Sequence, residues 1–123
     1  MRVLIVENEY DLGKIWQSHM ERLGVEANLV TSYAAAVTVL ESEVYDVMVL
    51  DLVLENGAAL ALSDFAAYRH PDVQVVFVTN TTFFSDGSIF NHSANVCAFM
   101  PTGTPPDDLA AMVEHYGNAR QAS

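Results

Sequence analysis

Five short apolar runs, rich in β-branched residues and each followed by polar or small residues, constrain this chain more than anything else in it. They are Arg2 to Val6, Val25 to Val30, Val47 to Leu50, Val73 to Val78 and Val96 to Met100. Such a run is what a strand buried on both faces looks like. Glu26 and Asn28 interrupt the second run, an alternation that suits an edge strand with one wet face. Between the runs lie segments of helical spacing. Leu12, Ile15, Trp16, Met20 and Leu23 recur every three or four residues, as do Leu109, Met112, Val113 and Tyr116. Ala34 to Leu40 reads as a second helix, and Ala58 to Tyr68 as a third, stopped by His70-Pro71. A fourth helix has to come from Phe83 to Ser93, where Ser85, Asp86, Gly87 and Ser88 give poor propensity and predict a short or irregular element. Pro105-Pro106 opens the last helix, with Asp107 and Asp108 at the positive end of its dipole. Strand followed by helix, five times over, implies an α/β doubly wound fold: a five-stranded parallel sheet with helices on both faces and right-handed crossovers.

With 123 residues, 51% of them hydrophobic, there is material for one core and too little length for two ordinary domains. The expected domain spans residues 1–117, and 118–123 reads as a flexible C-terminal tail. Five Lys and Arg against 16 Asp and Glu give a net charge of -11. That balance argues against nucleic-acid binding, which rests on neutralising phosphates, and against an anionic membrane surface. Divalent cations and basic faces of partner proteins are attracted instead. No apolar run approaches the roughly 18 residues needed to span a bilayer. The first residues turn acidic at Glu7 and offer no secretory cleavage site, so the expected location is cytoplasmic. Cys97, the single cysteine, fits a reducing compartment and reads as a small buried hydrophobe.

In a doubly wound sheet the ligand site lies beyond the carboxyl ends of the strands, near the point where strand order reverses. That rule selects Glu7, Asn8 and Glu9 after the first strand, Asp51 after the third, Thr79 and Asn80 after the fourth and Thr102 after the fifth. Asp51 stands out, because Val-Met-Val-Leu places its carboxylate at the mouth of a buried strand. An acid there can bind a divalent cation and, with a phosphoryl donor docked on that cation, act as a nucleophile that forms an acyl phosphate. Glu7 supplies a second anionic oxygen. The Thr79 hydroxyl can donate to a phosphoryl oxygen.

Over nearly its whole length the chain resembles the receiver domain of two-component response regulators. The resemblance is carried by Val3-Leu-Ile-Val-Glu-Asn-Glu9, Asp46-Val-Met-Val-Leu-Asp-Leu-Val-Leu54, Val75-Val-Phe-Val-Thr79 and Phe99-Met-Pro-Thr102, the last followed by Pro106-Asp-Asp-Leu109. It implies a flavodoxin-like sheet of order 2-1-3-4-5. It also implies Asp51 as phosphoacceptor, Mg2+ held by Glu7, Asn8 and Asp51, Thr79 as switch hydroxyl and Phe99 in the place of an aromatic switch.

The departures carry as much information. Thr102 and Gly103 stand where receivers usually have a lysine followed by proline, and Lys14, on the first helix, is the only lysine in the chain. The cationic contact to a phosphoryl group is therefore missing. Asn8 replaces a metal-ligating aspartate; one charge about 4 Å from the ion is worth at most roughly 4 kcal/mol per charge of the ion, so weakened Mg2+ binding follows. Glu9 compensates only if its side chain reaches the cleft. Asn80 takes the place of a very small residue, and Glu55 and Ala59 replace the usual proline and glycine.

Each residue also has a plainer reading. Asp51 can cap the following loop, Glu7 can be solvated, and Thr79 can bond a neighbouring carbonyl. Phe99 reads as core or half-buried packing more readily than as a moving switch, and Trp16 and Met20 as core. The four histidines read as surface residues. Phe83, Phe84, Ile89 and Phe90 form either a deeply packed helix or, with Phe99, a partner or homodimer face of the fourth helix, fifth strand and fifth helix.

The resulting expectation is a single-domain response regulator, not a conventional enzyme. It takes a phosphoryl group from a histidine kinase or phosphotransfer protein and signals through an unidentified downstream protein. The alternative is a receiver-like interaction module that works without phosphorylation. A hydrolase of the same fold would need a water-activating base beside Asp51, and the sequence offers none.

Overall fold

A computed structural model describes residues 1–51, 58–79 and 96–122, with the side chains of residues 96, 97 and 119–122 left out. The expected helix between Phe83 and Ser93, and with it Phe84 and Phe90, lies outside the described residues. In chain order the elements are β1 (Arg2–Val6), α1 (Tyr10–Arg22), β2 (Glu26–Val30), α2 (Tyr33–Ser42), β3 (Val47–Asp51), α3 (Ala58–Arg69), β4 (Gln74–Thr79), β5 (Val96–Pro101) and α4 (Pro106–Ala122). All strand pairs are parallel, and the sheet order is β2-β1-β3-β4-β5. The five strands fall where the apolar runs predict them. The last helix runs on to Ala122, into the segment 118–123 expected as a tail.

Strand alternation sorts the apolar side chains into two cores. Leu4, Val6, Met48, Leu50, Val75 and Phe77 pack with Ala36 and Leu40 of α2 and with Ala59, Leu62 and Ala66 of α3. On the opposite face Val3, Ile5, Val47, Val49, Val76 and Val78 meet Trp16 and Met20 of α1 and Leu109, Ala110 and Val113 of α4. β1 from Val3 to Val6, and all of β3, are buried on both sides, which is why they read as unbroken apolar runs. A bulge between Val75 and Val76 lets Cys97 be skipped in the β4 to β5 register. Beyond it Phe77 stands opposite Phe99, on the same face.

Local chemistry sets the ends of the elements. The Ser32 hydroxyl accepts from the Ala35 amide and caps α2. α1 ends in a Schellman turn: the Gly24 amide donates to the Glu21 carbonyl and the Val25 amide to the Met20 carbonyl. Gly24 sits there at φ 82°. Gly13, halfway along α1, lets the helix close onto β2, because a Cβ at that position would lie 2.6 Å from a Leu29 methyl. At the amino ends of the strands Arg2 bridges Glu26 and Glu43 and lies over the Tyr45 ring, 4.9 Å from its centre.

Gly24→Ala is expected to lower stability by about 1 kcal/mol, since only glycine takes this backbone conformation without strain. Urea denaturation followed by the buried Trp16 fluorescence measures it, with the m-value unchanged.

Candidate functional site

Parallel pairing brings the carboxyl ends of β1, β3, β4 and β5 to one edge of the sheet, and the polar residues that follow each apolar run collect there. Val6 pairs with Leu50, so Glu7 and Asp51 come next to each other at the ends of adjacent strands. Asp51 in turn pairs with Val78, one residue before Thr79. Glu7, Asp51 and Thr79 are 1%, 8% and 7% exposed, which makes them three of only four buried polar residues among those described. The fourth, Ser63, lies on α3, away from the strand ends.

Burying two acids together is costly unless something neutralises them. Glu7 Oε1 accepts the Glu9 amide at 3.0 Å, while Glu7 Oε2 is fully buried with no hydrogen-bond partner among the described residues. Two carboxylates cannot hydrogen bond to each other until one takes up a proton. Burial, then hydrogen bonding with Asp51, and after it the Asp51 and Glu9 charges, push the Glu7 carboxyl up to about 7, against its ordinary value of 4.5; the Glu9 amide opposes the shift. A buried pair of acids that share a proton in the absence of other charge is an arrangement a cation satisfies. Mg2+ keeps several waters and commonly binds through one or two carboxylates, so this pair fits it.

The remaining expected residues are placed less favourably. Asn8 and Glu9 are both exposed, Glu9 as the first residue flanking α1. Among the described residues no three His, Cys, Asp or Glu side chains converge as a metal cluster. The Thr102 amide donates to the Thr79 carbonyl at 2.8 Å, which ties the loop after β5 to the end of β4. Thr102 therefore stands at the rim, in a turn closed by the Thr104 amide on the Pro101 carbonyl. Its side chain carries no charge to offer a phosphoryl group. Lys14 lies on α1 and hydrogen bonds Gln17.

Phe99 stacks on Phe77 with ring centres 5.3 Å apart and planes 18° apart, half-buried against the core on the α2 and α3 side. This is the packing reading of Phe99, and the stack adds about 1 kcal/mol to the burial. Two histidines correct the expectation that all four are surface residues. His19 is half-buried with Nδ1 2.6 Å from Asp107, joining α1 to α4, and His70 Nε2 is 2.8 Å from the Leu40 carbonyl. No periodicity marks such pairings, because their partners come from distant elements. Asn80 and Glu55 lie outside the described residues, whereas Ala59 is buried in α3.

A carboxyl raised to about 7 makes the native chain hold a proton that the unfolded chain releases near pH 4.5. Stability is therefore predicted to fall as pH rises through that window, by at most roughly 3 kcal/mol from this group. Glu7→Gln removes the buried charge and should stabilise the metal-free protein at pH 8 by about 1–3 kcal/mol, with little effect at pH 4, in thermal melts. For the metal, Asn8→Asp is expected to tighten Mg2+ binding by about tenfold or more in calorimetric titration.

Residues 3–96, most of the chain, match the response regulator receiver domain family. The luminescence regulatory protein LuxO of Vibrio campbellii is 27% identical over 75 residues, 61% of this chain and 17% of LuxO, so this chain spans about a sixth of that relative. A CheY-like receiver domain protein from Methanospirillum hungatei has a similar fold at a TM-score of 0.88 and 17% identity, over 98% of this chain and 96% of that one. So does the response regulator TrrA from Thermotoga maritima, solved in complex with Mg2+ and BeF, at a TM-score of 0.79 and 16% identity, over 94% of this chain and 97% of that one. With the strand order, the buried acids at the strand ends and the match over most of its length all in agreement, this chain belongs to the response regulator receiver domain family.

Proposed function

We propose that Asp51 accepts a phosphoryl group and that Glu7, Asp51 and Asn8 hold the Mg2+ this requires. The observation that carries the reading is the buried pair of acids, Glu7 and Asp51, with Glu7 Oε2 lacking any donor among the described residues. When bound, Mg2+ supplies the positive charge that offsets the phosphoryl oxygens and the two carboxylates. An Asp51 oxygen attacks the phosphorus of a phosphohistidine presented by a histidine kinase or phosphotransfer protein. The new P–O bond makes an acyl phosphate as the P–N bond breaks, and the departing imidazole takes up a proton. Thr79, at the end of β4 and tied through its carbonyl to Thr102, offers the hydroxyl that meets the product. The protein modifies itself and signals through a partner, without acting as a conventional enzyme.

A second reading is favoured by one observation: the loop after β5 presents Thr102, and the only lysine lies on α1. With no ammonium group to balance the added charge, the phosphorylated state gains little over the free one. The domain then works as a protein-binding module whatever the state of Asp51.

Intact-mass spectrometry after incubation with acetyl phosphate and Mg2+ separates the two. The first reading predicts one added phosphoryl group, absent in Asp51→Asn and absent with EDTA. No addition at saturating donor and metal would leave the second.

A further inference from the structure

We propose that the outer face of α3 joins a second copy of this chain, as a parallel pair of helices about a two-fold axis. Nine of the twelve residues of α3 are apolar; the others are Ser63, Asp64 and Arg69. The sheet accounts for part of this, since Ala59, Leu62 and Ala66 are buried in the core, and Ser63 is buried with them. A surface helix ordinarily turns a charged side to water, whereas one that is apolar all round is covered on both sides. Here Ala61 and Tyr68 are exposed and Phe65 is half-buried. Tyr68, at 87%, is the most exposed large apolar side chain among the described residues.

The charges say which occupant fits. Ala61, Phe65 and Tyr68 recur at spacings of four and three, the d, a and d positions of a heptad. On that register Asp64 falls at g and Arg69 at e, one on each flank. Five positions apart, the two do not face each other within one helix. Asp64 is bridged to no cation among the described residues. Arg69 gives one donor to the Glu41 carbonyl and keeps the rest of its guanidinium fork. A two-fold axis running along the helix sets the g flank of one copy against the e flank of the other. Asp64 then meets Arg69 twice, while Phe65 and Tyr68 each meet their own image. A chain of net charge -11 repels its own copies over most of its surface, and on this face opposite charges complement each other. None of these residues lies at the carboxyl ends of the strands, so the pairing does not rest on phosphorylation of Asp51. The helix spans about 18 Å, a small contact, and the expected Kd is about 10–100 µM.

Sedimentation equilibrium at about 200 µM protein and about 150 mM salt tests the proposal, and dimer is the expected main species. Tyr68→Glu should weaken dimerisation by about tenfold or more. Asp64→Lys puts like charges on both flanks and should weaken it by about tenfold. Bulk charge forecasts the reverse for this variant, because the chain becomes less negative and repels its copy less. Arg69→Glu should weaken the dimer to a similar degree. Asp64→Lys combined with Arg69→Glu keeps the net charge of the parent and swaps the flanks, so it should return dimerisation to within about threefold of the parent. Circular dichroism checks that these variants, all at exposed positions, stay folded. A chain that is monomeric at this concentration overturns the proposal and leaves the face to some other partner. So does a dimer that survives Tyr68→Glu, as one built through Met100 and Met112 would. Single charge variants that dimerise as the parent does, or a double variant no better than they are, would also overturn it.

Discussion

Two acids buried side by side at the ends of adjacent strands set the terms for the rest of this molecule. Glu7 and Asp51 are there because β1 and β3 are buried on both faces and end together, so the first polar residue after each run has little water to turn to. Such a pair is unstable by itself. It persists because two cores, one on each face of the sheet, hold the strands in register, and because the strand ends form an edge where a cation or a proton can enter. The site is thus a locally destabilising feature carried by a well-packed scaffold.

A cluster of side-chain ties lies at the opposite edge of the sheet. Arg2, bridged to Glu26 and Glu43 and lying on Tyr45, with its amide on Asp46, gathers β1, β2 and the chain entering β3 at the amino ends of the strands. At the carboxyl ends backbone hydrogen bonds run from Thr102 to Thr79 and from Glu7 to Val30. Phe99 is stacked on Phe77 and packs half-buried against the core.

Strand positions could be read from the sequence because strands buried on both faces leave unbroken apolar runs, Val47 to Leu50 above all, whereas the sheet order came from the resemblance to receivers. The helix α1 was equally legible from Trp16 and Met20, which both lie in the core. Asp51 was visible as a charge ending such a run. What could not be read were effects of packing between distant elements. His19 looked like a surface residue until α4 brought Asp107 to it, and the Cys97 bulge that sets the side Phe99 faces leaves no pattern in the chain. The helical course of Gly117 to Ala122 passes two weak helix formers, Gly117 and Asn118, into Ala, Arg and Gln, which favour helix; a Met1 side chain packed against Gly117 marks that helix as part of the fold. Glu9 was left open because one residue decides which way a side chain turns at a helix start, and it turned outward.

What distinguishes this receiver from the pattern it resembles is charge. Asn8 and Thr102 stand where that pattern has an acid and a lysine, and in the reading proposed above Glu7 and Asp51 carry the charge that holds the metal. A crystal structure of the protein grown with Mg2+ and beryllium fluoride tests this most directly. The account predicts beryllium fluoride on the Asp51 carboxylate and one metal ion in contact with both Asp51 and Glu7 Oε2. A metal ion bound without Glu7, or an Asp51 that stays bare at saturating concentrations of both, would contradict it.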